Sequence, residues 1–188
     1  MKDAFSFWKK NGQLDFLQGD VRIYSIGSDD YLFVGQTMYA STTERPWYIK
    51  NVLPYVKGSV LEIGLGLGCA SKVILANPAV RKLLTIENNP DVVAAFGRPL
   101  PRHLILLTDI YGWAEKVPKE TPLYDFIFVD HYASIEEEEV EKLRVLAVLL
   151  APLVKNGGRM VFWIDVNAPE SDQAALKELW LINGAKNG

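Results

Sequence analysis

The chain has 188 residues, 49% hydrophobic and 23% charged, which is enough for one well-buried core and too little for two full domains. A net charge of -3 and a pI near 5.5 argue against a broad phosphate-tracking surface, so a small-molecule partner is expected and a nucleic-acid partner is not. A single cysteine, Cys69, excludes an internal disulfide and a Cys-rich zinc cluster, and no apolar run has bilayer length or the form of a secretory leader, so no membrane partner is expected and the compartment expected is the cytoplasm.

Taken in chain order, residues 21–36 alternate apolar and polar types on both sides of Gly27-Ser28-Asp29-Asp30, the pattern of a β-hairpin. It belongs to an N-terminal segment, residues 1–55, that precedes a main unit over residues 56–188. In the main unit, strand-like apolar runs alternate with helical segments: Val60 to Gly64, Leu83 to Glu87, Leu104 to Thr108, Phe126 to Asp130 and Met160 to Asp165. Five such runs predict an α/β fold with a mostly parallel sheet and right-handed crossovers. Asn89-Pro90 reads as a capped, proline-started helix, and Ser134-Ile135-Glu136-Glu137 as a capping box. The helix it opens carries its apolar stripe from Val140 to Leu153, should kink or end early at Pro152, and stops by Asn156-Gly157-Gly158. A last helix is expected from about Pro169 to Leu181, after which few residues remain, so a shortened C-terminus is expected, natural or truncated, with the sheet edge beside the fifth strand lying open. An open edge and a hairpin both offer unpaired backbone groups, and a homodimer is the simplest closed arrangement that covers them.

The stretch SVLEIGLGLGCASKV, Ser59 to Val73, ends the first strand of the main unit in Gly64, Gly66 and Gly68. A strand that runs through glycines into a helix brings backbone close to a ligand over the C-terminal edge of the sheet. A dinucleotide fingerprint would place its third small residue at position 69, where the chain has cysteine. The spacing Glu62-x-Gly64-x-Gly66-x-Gly68 resembles motif I of the class I S-adenosylmethionine-dependent methyltransferases. That resemblance implies a Rossmann-like core that binds S-adenosyl-L-methionine. It implies that Glu62 orders the glycine loop, that Glu87 with Asn88 in LLTIENNPDVV receives the ribose hydroxyls, and that Asp109 and Ile110 in LILLTDIYGW meet the adenine. Three acids at the ends of successive strands beside a glycine turn favour a nucleoside site over a set of unrelated loop caps.

Two closer likenesses refine the expectation. The hairpin, VGQTMYASTTERPWY and ANPAVRKLLTIENNPDVV resemble the spermidine synthase family, which implies that Gln36 lies near the donor sulfur and that Tyr39 and Trp47 line the ligand, with Tyr48 beside them. That family has a second acid after the fourth strand, where this chain has Asp130-His131-Tyr132-Ala133-Ser134, so methyl transfer is expected over aminopropyl transfer. The glycine loop, Asp130-His131-Tyr132 and SIEEEE also resemble guanidinoacetate methyltransferase, with Glu44 near aromatics upstream. Both likenesses imply an amine or guanidine acceptor bound by Tyr39, Glu44, Trp47 and Tyr132. Asp130, also a contact for the donor, would orient the acceptor nitrogen and take its proton, with His131 as a second proton acceptor. The alternatives are an aminopropyltransferase and an inactive nucleoside-binding or oligomerising domain. Two histidines without neighbouring acids at ligand spacing give no metal site.

Overall fold

The structure, a computed structural model, describes residues 4–98, 100–120, 122–133 and 137–182. The capping box at Ser134 to Glu136 falls outside these residues. A short helix, α1 (Ala4–Asn11), leads into four strands, β1 (Gln13–Gln18), β2 (Val21–Ile26), β3 (Asp29–Val34) and β4 (Thr37–Ser41), which pair antiparallel in chain order. The expected hairpin is therefore the middle of a four-stranded meander, and its turn is tighter than expected. Gly27 takes a φ of +65° and Asp29 already pairs with Ile26. β1 and β4 escape sequence reading because their residues are largely exposed, which leaves no clean alternation to detect.

A 3-10 turn, Thr42–Glu44, and helix α2 (Arg45–Asn51) connect this meander to the main sheet. There β5 (Gly58–Ile63), α3 (Cys69–Ala76), β6 (Val80–Glu87), α4 (Pro90–Phe96), β7 (His103–Leu107), α5 (Ile110–Lys116), β8 (Tyr124–Val129), α6 (Glu137–Leu150) and β9 (Val154–Phe162) follow one another. The sheet order is β10-β9-β8-β5-β6-β7, with β5 to β9 all parallel. This is the Rossmann-like α/β arrangement of the class I methyltransferase type. Every residue of β5 is buried and β8 is nearly so, as expected of central parallel strands covered on both faces. One face packs Leu61, Ile63, Ile127 and Val129 against α5 and α6, and the other packs Val60, Phe126 and Phe128 against α2 and α3.

The long helix ends early at Pro152 as expected, and two other boundaries differ from expectation, each for a physical reason. Helix α6 ends at Leu150 and a 3-10 turn, Ala151–Leu153, carries Pro152, which cannot continue an α-helix. Asn156-Gly157-Gly158 does not stop the helix. It is a bulge inside β9, where the register jumps from Val154 to Arg159 and Gly157 has a φ of +74°. The last helix, α7 (Glu170–Glu178), is shorter than expected, and β10 (Leu181–Ile182) pairs antiparallel with Met160 and Arg159 of β9. The edge beside the fifth strand of the main sheet is thus occupied over those two positions, which corrects the expectation of a wholly open edge there.

Candidate functional site

The strand order reverses between β5 and β8, and the residues just past their C-terminal ends meet there. Asp130 N donates to Ile63 O at 2.8 Å, and Gly64 N donates to Ile86 O at 2.9 Å. Gly64 has a φ of +93°, and a Cβ there would lie 1.9 Å from the carbonyl oxygen of Asp130. Only glycine lets the two strand exits approach so closely. Gly66 plays the same part toward the meander, since a Cβ on it would lie 3.0 Å from Cβ of Ala40. Leu65 and Leu67, between the glycines, are buried with Val21, Ile23 and Leu32 of the meander and Val92 of α4. The alternation of glycine and leucine is therefore a loop with two duties: Gly64 and Gly66 allow close approach to the strand exits and to the meander, and the leucines anchor the overlying sheet.

A cavity of about 320 Å³ opens beneath the meander over this switch point. Leu32, Val34 and Tyr39 form its roof, and Ile63, Gly64, Gly66, Ile86, Glu87, Asn88, Asn89, Val92, Thr108, Ile110, Asp130 and His131 form the rest. Its volume is at the small end of ligand pockets, and its place is the one favoured by ligands in open α/β sheets. Glu87 is buried, with Oε2 accepting from Leu65 N at 2.9 Å and Oε1 from Asn89 N at 2.8 Å. Its carboxylate thus ties down the glycine loop and the start of α4, and the second lone pair on each oxygen is open to a diol. Ile110 is an apolar wall residue.

A second cavity, about 310 Å³, lies on the other side of Tyr39 and is lined by Tyr31, Met38, Ser41, Thr43, Glu44, Trp47, Tyr132, Ala133, Trp163, Ile164, Asp165, Val166 and Asn167. A constriction of about 20 Å³ shares Gly64, Gly66 and Asp130 with the first cavity and Ser41 and Glu44 with the second. Tyr48 lines it. The Tyr48 hydroxyl lies 2.8 Å from Glu44 Oε2 and 2.9 Å from Asp130 Oδ2. Burial, and then the charge of Glu44, hold the Asp130 carboxyl well above the usual carboxylate range, and burial raises that of Glu44. Among the described residues no Lys or Arg lines either cavity.

The structure brings Gly64, Gly66, Glu87, Asn88, Ile110, Asp130 and His131 to the first cavity, Glu44, Trp47 and Tyr132 to the second, and Tyr39 to both. Burial lowers the His131 imidazole to about 4, so the ring is neutral at pH 7 and is a weak base beside Asp130. Tyr132 is buried, and its hydroxyl donates to Trp163 O. Four expected contacts stand elsewhere. Gln36 lies in the exposed β3–β4 turn. Gly68 caps α3 with a φ of +68°. Asp109 caps α5, its side chain accepting from Gly112 N at 2.7 Å, because an aspartate at a helix start meets a backbone N–H that has no partner within the helix. Glu62 is wholly buried on the α3 face, where its Oε2 accepts from Ser71 and Thr85. It steadies the helix that follows the glycine loop and does not line the cavity. Leu32, Trp163 and Asp165 are among the lining residues that the motifs do not mark. Glu44 and Tyr48 are each expected near the ligand from the resemblances, and their i, i+4 spacing across a proline-started helix is the signal that the two side chains meet.

Among the described residues no group of three or more His, Cys, Asp or Glu side chains could hold a metal ion, and no helix is long and apolar enough to cross a membrane. No family model matches the chain and no curated protein matches it. Solved structures do. Spermidine synthase from Thermotoga maritima superposes with a TM-score of 0.62 at 17% identity, over 85% of this chain and 57% of that one. A spermidine synthase in complex with the transition state analogue AdoDATO gives 0.62 at 18% identity, over 89% of this chain and 61% of that one. The chain thus spans about three fifths of the length of these structures. What it shares with them, at such identities, is the fold: a Rossmann-like core of the class I methyltransferase type beneath an N-terminal β unit.

Proposed function

We propose that the protein is a transferase that uses S-adenosyl-L-methionine to methylate a small amine or guanidine. The observation that carries this reading is the position of Asp130, past the C-terminal end of β8, facing both the cavity beside the glycine loop and the constriction that leads to an acid- and aromatic-lined one. The first cavity fits an adenosyl group in chemistry: backbone at Gly64 and Gly66 for close approach, the Glu87 carboxylate for a ribose diol and Ile110 for a purine face. S-adenosyl-L-methionine, when bound, supplies an activated methyl carbon. The residues of the chain then have to hold an unprotonated nitrogen against it and keep water out. Asp130 orients the hydrogens of that nitrogen and accepts the proton it loses, and Glu44 and Asp165 offset the charge of a cationic acceptor. Trp47, Trp163 and Tyr132 supply apolar walls.

Aminopropyl transfer is the second reading, and two observations favour it. The second acid that is missing after β8 is supplied in space by Glu44, linked to Asp130 through Tyr48. The absence of a lining cation among the described residues suits a donor tail that carries only an amine. Calorimetric titration with S-adenosylmethionine, its decarboxylated form, S-adenosylhomocysteine and NAD tests the donor. We expect the adenosyl sulfur compounds to bind and NAD not to, with about 2.7 kcal/mol of added stability at a ligand concentration a hundredfold above Kd. The mass gained by members of an amine and guanidine panel, one methylene or one aminopropyl group, separates the two readings. No binding of any adenosyl compound at millimolar concentration would remove both.

A further inference from the structure

We propose that Glu44, Tyr48 and Asp130 form a proton relay, in which the Tyr48 phenol passes a proton taken up by Asp130 to Glu44 and so to the second cavity. The proposal rests on the transferase reading for the origin of that proton and on hydrogen counting for its path. The phenol oxygen stands 2.8 Å from one carboxylate oxygen and 2.9 Å from the other, yet it has one hydrogen. Both contacts are hydrogen bonds only when one carboxyl carries a proton and donates it to the phenol oxygen. The three groups therefore hold two protons between them. Two bare carboxylates flanking one phenol would leave a repulsive oxygen pair in a constriction of about 20 Å³.

The surroundings preserve that count. Glu62 from β5 and Tyr132 after β8 face Asp130, Asp165 after β9 acts on Glu44, and Cys69 at the start of α3 lies close by. Arg45 adjoins Glu44 in sequence and is exposed. Burial and mutual repulsion both favour a protonated carboxyl in this pair, and burial keeps the phenol protonated. Glu44 is the outlet, since it lines the second cavity and Asp130 does not.

The steps balance. At rest Asp130, the more deeply buried acid, carries the carboxyl proton and donates it to the phenol oxygen, Tyr48 donates its hydroxyl proton to Glu44, and Glu44 carries none. When the acceptor forms its new bond, one N–H bond breaks and its proton goes to Asp130 as the Asp130 proton moves to the phenol oxygen and the phenol proton moves to Glu44. Glu44 then releases that proton to water in the second cavity. The net change is one proton transferred from nitrogen to water, with the relay restored.

Infrared spectroscopy of the full chain at pH 7 tests the resting state without any ligand. It is done in a Glu62→Gln background to remove that buried acid. A carboxylic-acid carbonyl band is expected; it should be lost on adding Asp130→Asn, and on adding Tyr48→Phe its frequency should shift, because the oxygen that accepts the carboxyl proton is gone. No band in the background protein overturns the proposal, and so does a band that survives Asp130→Asn or is unmoved by Tyr48→Phe, because the proton is then not shared through Tyr48. Once an acceptor is known, Tyr48→Phe should lower the single-turnover rate by about a hundredfold while affinity for S-adenosylhomocysteine stays within about twofold. A parental rate overturns the relay. The band with no turnover on any acceptor overturns the transferase reading alone and leaves the shared proton standing.

Discussion

Two buried glutamates illustrate how one residue type is given different work by its surroundings. Glu62 has one oxygen satisfied by two hydroxyls and the other, Oε1, buried without a partner among the described residues, and burial pushes its carboxyl up to about 7. Because the folded value is raised, the stability linked to this group is fully present below the ordinary glutamate value and is lost as pH rises through about 7. The loss is steepest at about 1.4 kcal/mol per pH unit. Glu62→Gln should flatten the fall in stability between pH 5 and 8 and should be the more stable protein at pH 8, as read by urea unfolding at several pH values. An unaltered slope would show that the carboxyl is ionised throughout. Glu87, by contrast, gives both oxygens to backbone N–H groups. In Glu87→Gln an amide nitrogen must face one of those donors, so we expect a loss of about 1 to 3 kcal/mol in stability together with weaker adenosyl binding. Calorimetry and unfolding on the same variant check both. Full stability with lost binding would mean that the carboxylate holds only ligand and not the loop.

At the scale of elements, the glycine loop and the β8 exit act as one unit. The contact between Gly64 and the Asp130 carbonyl fixes where the Asp130 carboxyl stands relative to Glu44 and Tyr48. Gly64→Ala therefore forces both a left-handed alanine and a backbone overlap, and should cost about 3 kcal/mol or more and abolish ligand binding. Denaturant unfolding that finds a loss below about 1 kcal/mol would mean that the strand exits are free to separate. Helix α2 has the complementary task. Its turns carry Trp47 to one cavity and the buried Tyr48 to the constriction, so a seven-residue helix with little apolar surface of its own is held by its side chains packed on Phe128.

For the whole molecule, the meander is a roof. Leu32 is 1% exposed, lines the first cavity and packs on Leu65 and Leu67 of the loop. Leu32→Ala should cost about 2 to 5 kcal/mol, the range for a buried leucine, and should speed dissociation of an adenosyl ligand more than it slows association. Stopped-flow binding tests this, and an unchanged dissociation rate would show that the roof does not retain the ligand. The edges of the main sheet are unequal. β10 covers part of β9, whereas the edge strand β7 presents Leu104 at 65% exposure and Leu107 at 50%.

By itself the sequence determined the elements whose patterns are local. The parallel strands are continuous apolar runs, α4 begins at Asn89-Pro90, and the glycines and acids stand at strand ends because strand, turn and cap each leave a mark within a few residues. That also located Glu87, Ile110 and Asp130. The tertiary structure alone decided what depends on distant partners. Asp109 turned to its own helix start and Glu62 to Ser71 and Thr85, since a carboxylate takes the nearest N–H or O–H donors and those are set by packing. Gln36 was carried into an exposed turn by the register of β3 and β4. Glu44 and Asp130, far apart in the chain, met on one phenol because helix α2 crosses the end of β8, a proximity that no periodicity in either segment encodes.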